Sequence, residues 1–299
     1  MGTGKEDPAK FNPTKLDARQ WVHAAKAGGF QGIILTAKHH DGFCLWPTET
    51  TEFSVRSSPW NNGKGDVIKN LAEACHDAGM WIGLYLSAYD VNYQNSGDKD
   101  KAAYSNHYEK QLTELCTKYG QIDELWFDGF GSEQLQVDWG RVSPIIRKQQ
   151  PKAIIFNDFP KEMPRSYVRW PGNEEGDAGE PNWSVFPNPD NELNVEKDAR
   201  WFPAEADAIA QGNWFWDTRP ICSLAHLQQI YSTSVGRGSV ALINVPPKEV
   251  GLIDEAYIER LAEFKEWVDG IYARDIAQNA KASASAIRGN DPRFGADKG

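Results

Sequence analysis

A repeated pairing constrains this chain more than any other feature: a helical apolar pattern stops at glycine, and a short apolar run follows at once. Val67, Ile68, Leu71, Ala72 and Cys75 fall at helical spacing, Gly79 ends the pattern, and Trp81–Ile82–Gly83–Leu84–Tyr85–Leu86 follows. Tyr104, Tyr108, Leu112, Leu115 and Tyr119 stop at Gly120 and lead into Leu125–Trp126–Phe127. Trp139, Val142, Ile145 and Ile146 precede Ala153–Ile154–Ile155–Phe156. Upstream, Asn12 as cap and Pro13 in the first turn predict a helix through Leu16, Trp21, Ala24 and Ala25 to Gly28–Gly29, then a strand at Gly32–Thr36. Downstream, Leu224, Leu227, Ile230 and Tyr231 feed a strand at Val240–Val245, and a last helix carries Ile258, Leu261, Phe264, Trp267, Val268 and Ile271.

Short runs of this kind, apolar on successive residues, belong to strands buried on both faces, as in parallel sheets. Strands alternating with helices from about residue 12 to residue 270 therefore predict an α/β fold built as a (β/α)8-like TIM barrel. Six or seven strands are visible where a closed barrel has about eight. Between Pro164 and Pro203 the rhythm gives way to Pro, Asn, Asp, Glu and Trp, and long irregular stretches inside a compact fold usually serve a site. Residues 1–272 read as the barrel, and 273–299, small and polar, as a linker or the stub of a truncated C-terminal domain.

Composition narrows the function. The net charge is −10, and Lys64, Lys99, Lys101 and Lys148 are scattered rather than gathered in a stripe, which argues against a nucleic-acid partner. No apolar run reaches the ~18 residues a membrane span needs, and Met1–Asn12 lacks the basic start and apolar core of a signal peptide. Cys44, Cys75, Cys116 and Cys222 form no Cys-x-x-Cys pair, so neither a zinc ribbon nor a redox motif is expected. With 12 Trp, 10 Tyr and 13 Phe the chain has rings beyond what a core requires, and aromatic faces suit the C–H faces of sugars.

In a parallel barrel the reactive groups stand where strands end. There the sequence places His39–His40–Asp41, then Tyr85 and Ser87, then Asp128, then Asn157–Asp158; the loosened region adds Asn173–Glu174–Glu175 and Glu205–Ala206–Asp207. An acid closing Leu125–Trp126–Phe127 sits where a barrel holds a fixed nucleophile, although position alone also fits a cap or turn. Adjacent His39 and His40 on a strand would point to opposite faces, so a shared metal is not expected; hydroxyl recognition and a hydrogen-bonded core are the alternatives. A carboxyl beside aromatic surface at Glu174 or Glu175 would hold its proton longer and could protonate a leaving oxygen, where the plain alternative is a solvated surface pair.

Thr36–Ala37–Lys38–His39–His40–Asp41–Gly42–Phe43, with Trp46–Pro47–Thr48 behind it, and Leu125–Trp126–Phe127–Asp128–Gly129 closely resemble glycoside hydrolase family 29, the α-L-fucosidases. The resemblance covers roughly residues 7–270. It implies a retaining exo-α-L-fucosidase with Asp128 as nucleophile, His39 and His40 on fucose hydroxyls, and Trp46, Tyr85, Trp126 and Trp214 as pocket walls. Gly172–Asn173–Glu174 resembles the subgroup whose acid/base is a Glu in Gly-Asn-Glu, which implies Glu174, with Glu175 as alternative, and α-1,3/1,4-linked fucose on glycans as substrate. No cofactor and no metal are implied. Relatives of this kind are secreted or periplasmic. Family members also begin with a histidine-bearing strand, whereas this sequence starts at Met1–Gly2–Thr3–Gly4–Lys5; the barrel is expected to be incomplete at its N-terminus, with two unpaired strand edges and an exposed Trp21 face on the first helix. The competing expectation is a non-catalytic fucose- or carbohydrate-binding barrel.

Overall fold

A computed structural model of the chain describes residues 2–98, 100–131, 134–157, 167–186 and 200–278, together with 280, 281, 283–286, 289 and 291. Four strands, β1 (Gly32–Lys38), β2 (Trp81–Leu86), β3 (Glu124–Phe127) and β4 (Ile154–Asn157), pair in that order and all in parallel. A short antiparallel ribbon follows, β5 (Val185–Phe186) with β6 (Arg200–Trp201). Then β7 (Glu205–Ile209) pairs in parallel with β8 (Val240–Asn244). Single parallel bridges from Phe156 to Val168 and from Arg169 to Ala204 carry the wall from β4 to β7. This is the expected parallel α/β barrel. Among the described residues no ladder joins β8 back to β1.

The helices are α1 (Ala18–Ala27), α2 (Val67–Ala78), α3 (Val91–Asn95), α4 (Lys101–Lys118), α5 (Trp139–Gln149), α6 (Leu224–Thr233) and α7 (Glu255–Tyr272). Their starts are set by aspartates whose side chains accept orphan first-turn amides: Asp17 for α1, Asp66 for α2, Asp90 for α3, Asp100 for α4 and Asp138 for α5. Asp17, not Asn12, is thus the first cap, and α1 begins several residues later than the Asn12–Pro13 signal implied. Gly79 ends α2 in the left-handed conformation, as its position predicted.

The helix layer closes even where the strand layer does not. α7 packs on α1 and α6, Trp21 is buried, and its indole donates to the Gly251 carbonyl at 2.9 Å while Gln20 bonds the Ile253 carbonyl at 2.7 Å. The exposed Trp21 face expected from the sequence is therefore corrected: Gly251–Ile253 and α7 cover it. A second correction is β7. Glu205–Ala206–Asp207 read as loop because its acids break the apolar signal, yet Glu205, Ala206, Asp207 and Ala208 are all buried in a strand.

Candidate active site

The strand ends open on a cleft lined by His39, His40, Tyr85, Trp126, Asp128, Glu174, Asp207 and Trp214, and the space continues past β1 and β8 to Trp21, Leu261 and Phe264 on the outer helices, about 2020 Å³ in all. Asp128 follows β3, where the chain leaves the sheet. Each of its oxygens is held: Oδ1 accepts the Phe130 amide at 2.8 Å, and Oδ2 accepts the Tyr85 hydroxyl at 2.7 Å. Burial, with Asp128 adding to it, pushes the Tyr85 phenol well above its ordinary range, so it stays a donor. Tyr85 in turn stacks on Trp126 (centroids 5.1 Å, 21°) and Trp126 on Phe156 (4.0 Å, 4°).

His39 and His40 follow directly from β1, where the backbone has left the ladder, and this lets both rings face one cleft. His40 Nδ1 lies 2.7 Å from Ser87 Oγ, whose own proton is given to the Tyr89 carbonyl at 2.8 Å. Ser87 must then accept, so His40 donates from Nδ1 and presents its Nε2 lone pair toward Asp128 Oδ2, 3.5 Å away. Two acceptors facing each other at that distance have no proton between them, and a hydroxyl brought beside them has one to give to either. His39 lies parallel to Tyr85 (5.8 Å, 7°) and edge-on to Phe215 (5.3 Å), and its buried Nδ1 has no hydrogen-bond partner among the described residues. Burial, then His40, hold His39 down to about 4 against the pull of Asp128; burial likewise lowers His40.

The pair of histidines is anchored from beneath. Lys38 Nζ, fully buried, reaches Asp90 Oδ2 at 2.9 Å and Gln111 Oε1 at 3.0 Å. Asp90 heads α3, and the amides of Val91 and Asn92 bond the carbonyls of His40 and Asp41 at 2.8 and 3.2 Å.

Across the cleft, the loop holding Glu174 is built by its neighbours. Gly172 takes a φ of +97°, which only glycine adopts readily. Asn173 then bonds the amides of Glu175 and Asp177 and the Asp177 carbonyl, and Gly176 N–H docks on the Asp207 carbonyl of β7 at 2.9 Å. Glu174 consequently lines the Asp128 cleft, with Oε2 accepting the Trp214 indole at 3.3 Å. Glu175 lines a separate cavity of about 410 Å³ with His226, Gln229 and Thr233, which Glu174 also borders.

Other sequence candidates fall elsewhere. Trp46 is a correction: it is fully buried, its indole donates to Glu114 Oε2 at 2.7 Å, and it does not border the cleft, because the chain after Phe43 folds back into the core. Trp201 is largely exposed on β6, outside the cleft lining, whereas Trp216 lines it. Asp158 lies outside the described residues. Phe130, Trp170, Phe215 and Asn244 border the cleft without having been singled out from sequence. Asn244, closing the half-exposed strand β8, was the legible one; it bonds the Trp214 carbonyl at 2.9 Å. Asp207 was named only as part of a loose segment. It stands inside the cleft, accepts the Trp170 indole at 2.9 Å, and is pushed up to about 6 by burial, with Glu174 and Asp128 adding.

Comparison with known proteins identifies similar chains and folds. The alpha-L-fucosidase family model matches residues 5–271. Alpha-L-fucosidase 1 of Arabidopsis thaliana is 43% identical over 303 residues, covering 97% of this chain and 58% of that protein. A crystal structure of a glycoside hydrolase 29 family member from an unknown rumen bacterium superposes with a TM-score of 0.83 at 37% identity, over 96% of this chain and 55% of the other. A Ruminococcus gnavus GH29 fucosidase in complex with fucose gives 0.81 at 30% identity, over 98% and 66%. The chain spans less than three fifths of the length of the curated relatives it matches most strongly, 58% and 57%.

Proposed function

This chain belongs to the alpha-L-fucosidase family, and from that premise we propose that it is the catalytic barrel of a retaining exo-α-L-fucosidase with Asp128 as nucleophile and Glu174 as general acid/base. The observation that carries the reading is Asp128, with one oxygen on the Phe130 amide and the other on Tyr85, facing a cleft that Glu174 borders from a separate loop. Asp128 attacks the anomeric carbon as Glu174 protonates the departing glycosidic oxygen. Glu174, now a carboxylate, takes a proton from the water that releases fucose. Retention calls for carboxyls about 5 to 5.5 Å apart. His40 Nε2 accepts from a ring hydroxyl, His39 lines the cleft beside it, and the rings of Phe130, Phe215 and Trp214 offer apolar surface to the sugar. The residues need no metal or cofactor for these steps.

The similarity of the Gly172–Asn173–Glu174 loop to one subgroup supports α-1,3- and α-1,4-linked fucose on glycans as substrate. The test is free-fucose release from α-1,2, α-1,3, α-1,4 and α-1,6 oligosaccharides beside an aryl fucoside. Glu174→Ala should cost far more on the oligosaccharides than on the aryl substrate, because only the former needs a proton at departure. If Glu175→Ala shows that pattern instead, the acid/base moves one residue. Fucose binding with no release from any substrate would favour the non-catalytic barrel.

A further inference from the structure

The inside of the barrel carries two carboxyls that the reaction above does not use. Glu124 opens β3 and Glu205 opens β7; both are buried, and their side chains hydrogen-bond to each other. Room for them comes from β2, where a Cβ on Gly83 would lie 3.3 Å from Glu124 Cβ and 2.8 Å from Ile34 Cγ1. Glu205 Oε1 accepts the Trp126 indole at 2.8 Å, while the buried Glu124 Oε1 has no partner. Trp126 is the middle ring of the Tyr85–Trp126–Phe156 stack, and Tyr85 is the donor to Asp128.

We propose that Glu124 and Glu205 form a positioning pair holding one proton between them, which keeps Glu205 on the Trp126 indole and, through the ring stack, keeps the Tyr85 hydroxyl on Asp128. The proposal rests on the reading of Asp128 as nucleophile. Two buried carboxyls in hydrogen-bond contact cannot both be ionised cheaply, so one proton stays. Burial, then Glu205, push Glu124 well above the carboxylate range, and burial pushes Glu205 up to about 7. The register partners of the pair on β2, β4 and β8 are Gly83, Ile154 and Val240, none of them charged. Asp207, two residues along β7, is the charged neighbour acting on Glu205, and it too resists losing the proton. As pH falls through about 7, Glu205 takes up a second proton, accepts the Trp126 indole less strongly, and the anchor loosens.

The test uses Glu205→Gln and Glu205→Leu in the whole chain. Glutamine keeps an acceptor for Trp126 and a donor for Glu124. It should hold kcat within about threefold of the parent near pH 8 and lose the parent's decline below neutral pH. Leucine removes the acceptor and should lower kcat about tenfold at every pH with little change in KM. Near-UV circular dichroism, taken as the difference from Trp126→Phe, reads the same event without turnover: the Trp126 signal should fade below neutral pH in the parent and persist in Glu205→Gln. A chain that releases no fucose still gives this reading, so failure of the fucosidase assignment and failure of the pair are distinguishable. Should the leucine variant not fold, Glu124→Gln takes its place and should reproduce Glu205→Gln. The proposal is overturned if the parent's Trp126 signal is unchanged down to about pH 5, or if folded glutamine and leucine variants have the same kinetics.

Discussion

Replacing Tyr85 with Phe removes one atom from the candidate site and leaves the rest of the ring in place. The lost bond is the 2.7 Å donation to Asp128 Oδ2; the stacks on His39 and Trp126 remain, so folding should change little. The effect on the two chemical steps is unequal. In the first, Asp128 gives up negative charge as it bonds to the sugar, so the hydrogen bond weakens on the way to the transition state and its loss is partly offset in the ground state. In the second, the carboxylate leaves and regains charge, and the bond strengthens as the barrier is climbed. A hydrogen bond to a charged group is worth about 1.5–3 kcal/mol. If about half the charge has returned at the transition state, the second step loses about 1 kcal/mol, or about fivefold in rate. Rapid-quench kinetics with an aryl fucoside, whose first step is fast, should then show a burst in Tyr85→Phe larger than in the parent and a steady rate about fivefold lower. No burst, or an equal loss in both steps with an unchanged melting temperature, would refute the reasoning about where the charge returns.

Asp128→Asn should reduce turnover by about three decades or more while the chain still folds and binds fucose, measured by fucose release and by calorimetric titration; retention of more than about a tenth of the rate removes Asp128 as nucleophile. Asp90→Ala leaves the buried Lys38 ammonium without its carboxylate and should cost about 3–5 kcal/mol in urea unfolding, since breaking one side of a buried pair strands the other charge; a loss under about 1 kcal/mol would mean Gln111 alone satisfies Lys38. His39, held at about 4 where 6.5 is ordinary, binds its proton less readily folded than unfolded. The stability this contributes is complete above about 6.5 and is lost as pH falls toward about 4. The melting temperature of His39→Gln should therefore fall less steeply than that of the parent over that window, and parallel curves would contradict the buried neutral imidazole.

Much of the barrel was legible because it is written locally. The helix ending at Gly79 and the run Trp81–Leu86 emerge as α2 and β2 with those bounds, since a left-handed cap and a fully buried strand both leave their mark in consecutive residues. Asp128 was legible for the same reason, as an acid closing an apolar run. Glu205 and Asp207 were not: two carboxyls inside a barrel are tolerated only because Trp126, Trp170 and Glu124 arrive from other strands to hold them, and no local pattern announces a partner 37 to 81 residues away. Trp46 shows the converse, a residue whose motif suggested a pocket wall but whose indole finds Glu114 on α4 instead. The different surroundings of Glu174, which borders both cavities, and Glu175, which borders the smaller one, likewise belong to the third dimension. Adjacent residues differ little in sequence context, and the loop that carries both is fixed by the docking of Gly176 on β7, a contact that no local pattern announces. The sequence alone determined strand and helix order and the residue types at strand ends, because these follow from burial periodicity and chain turns; which side chains meet was decided by tertiary packing, because contact depends on the register of strands far apart along the chain.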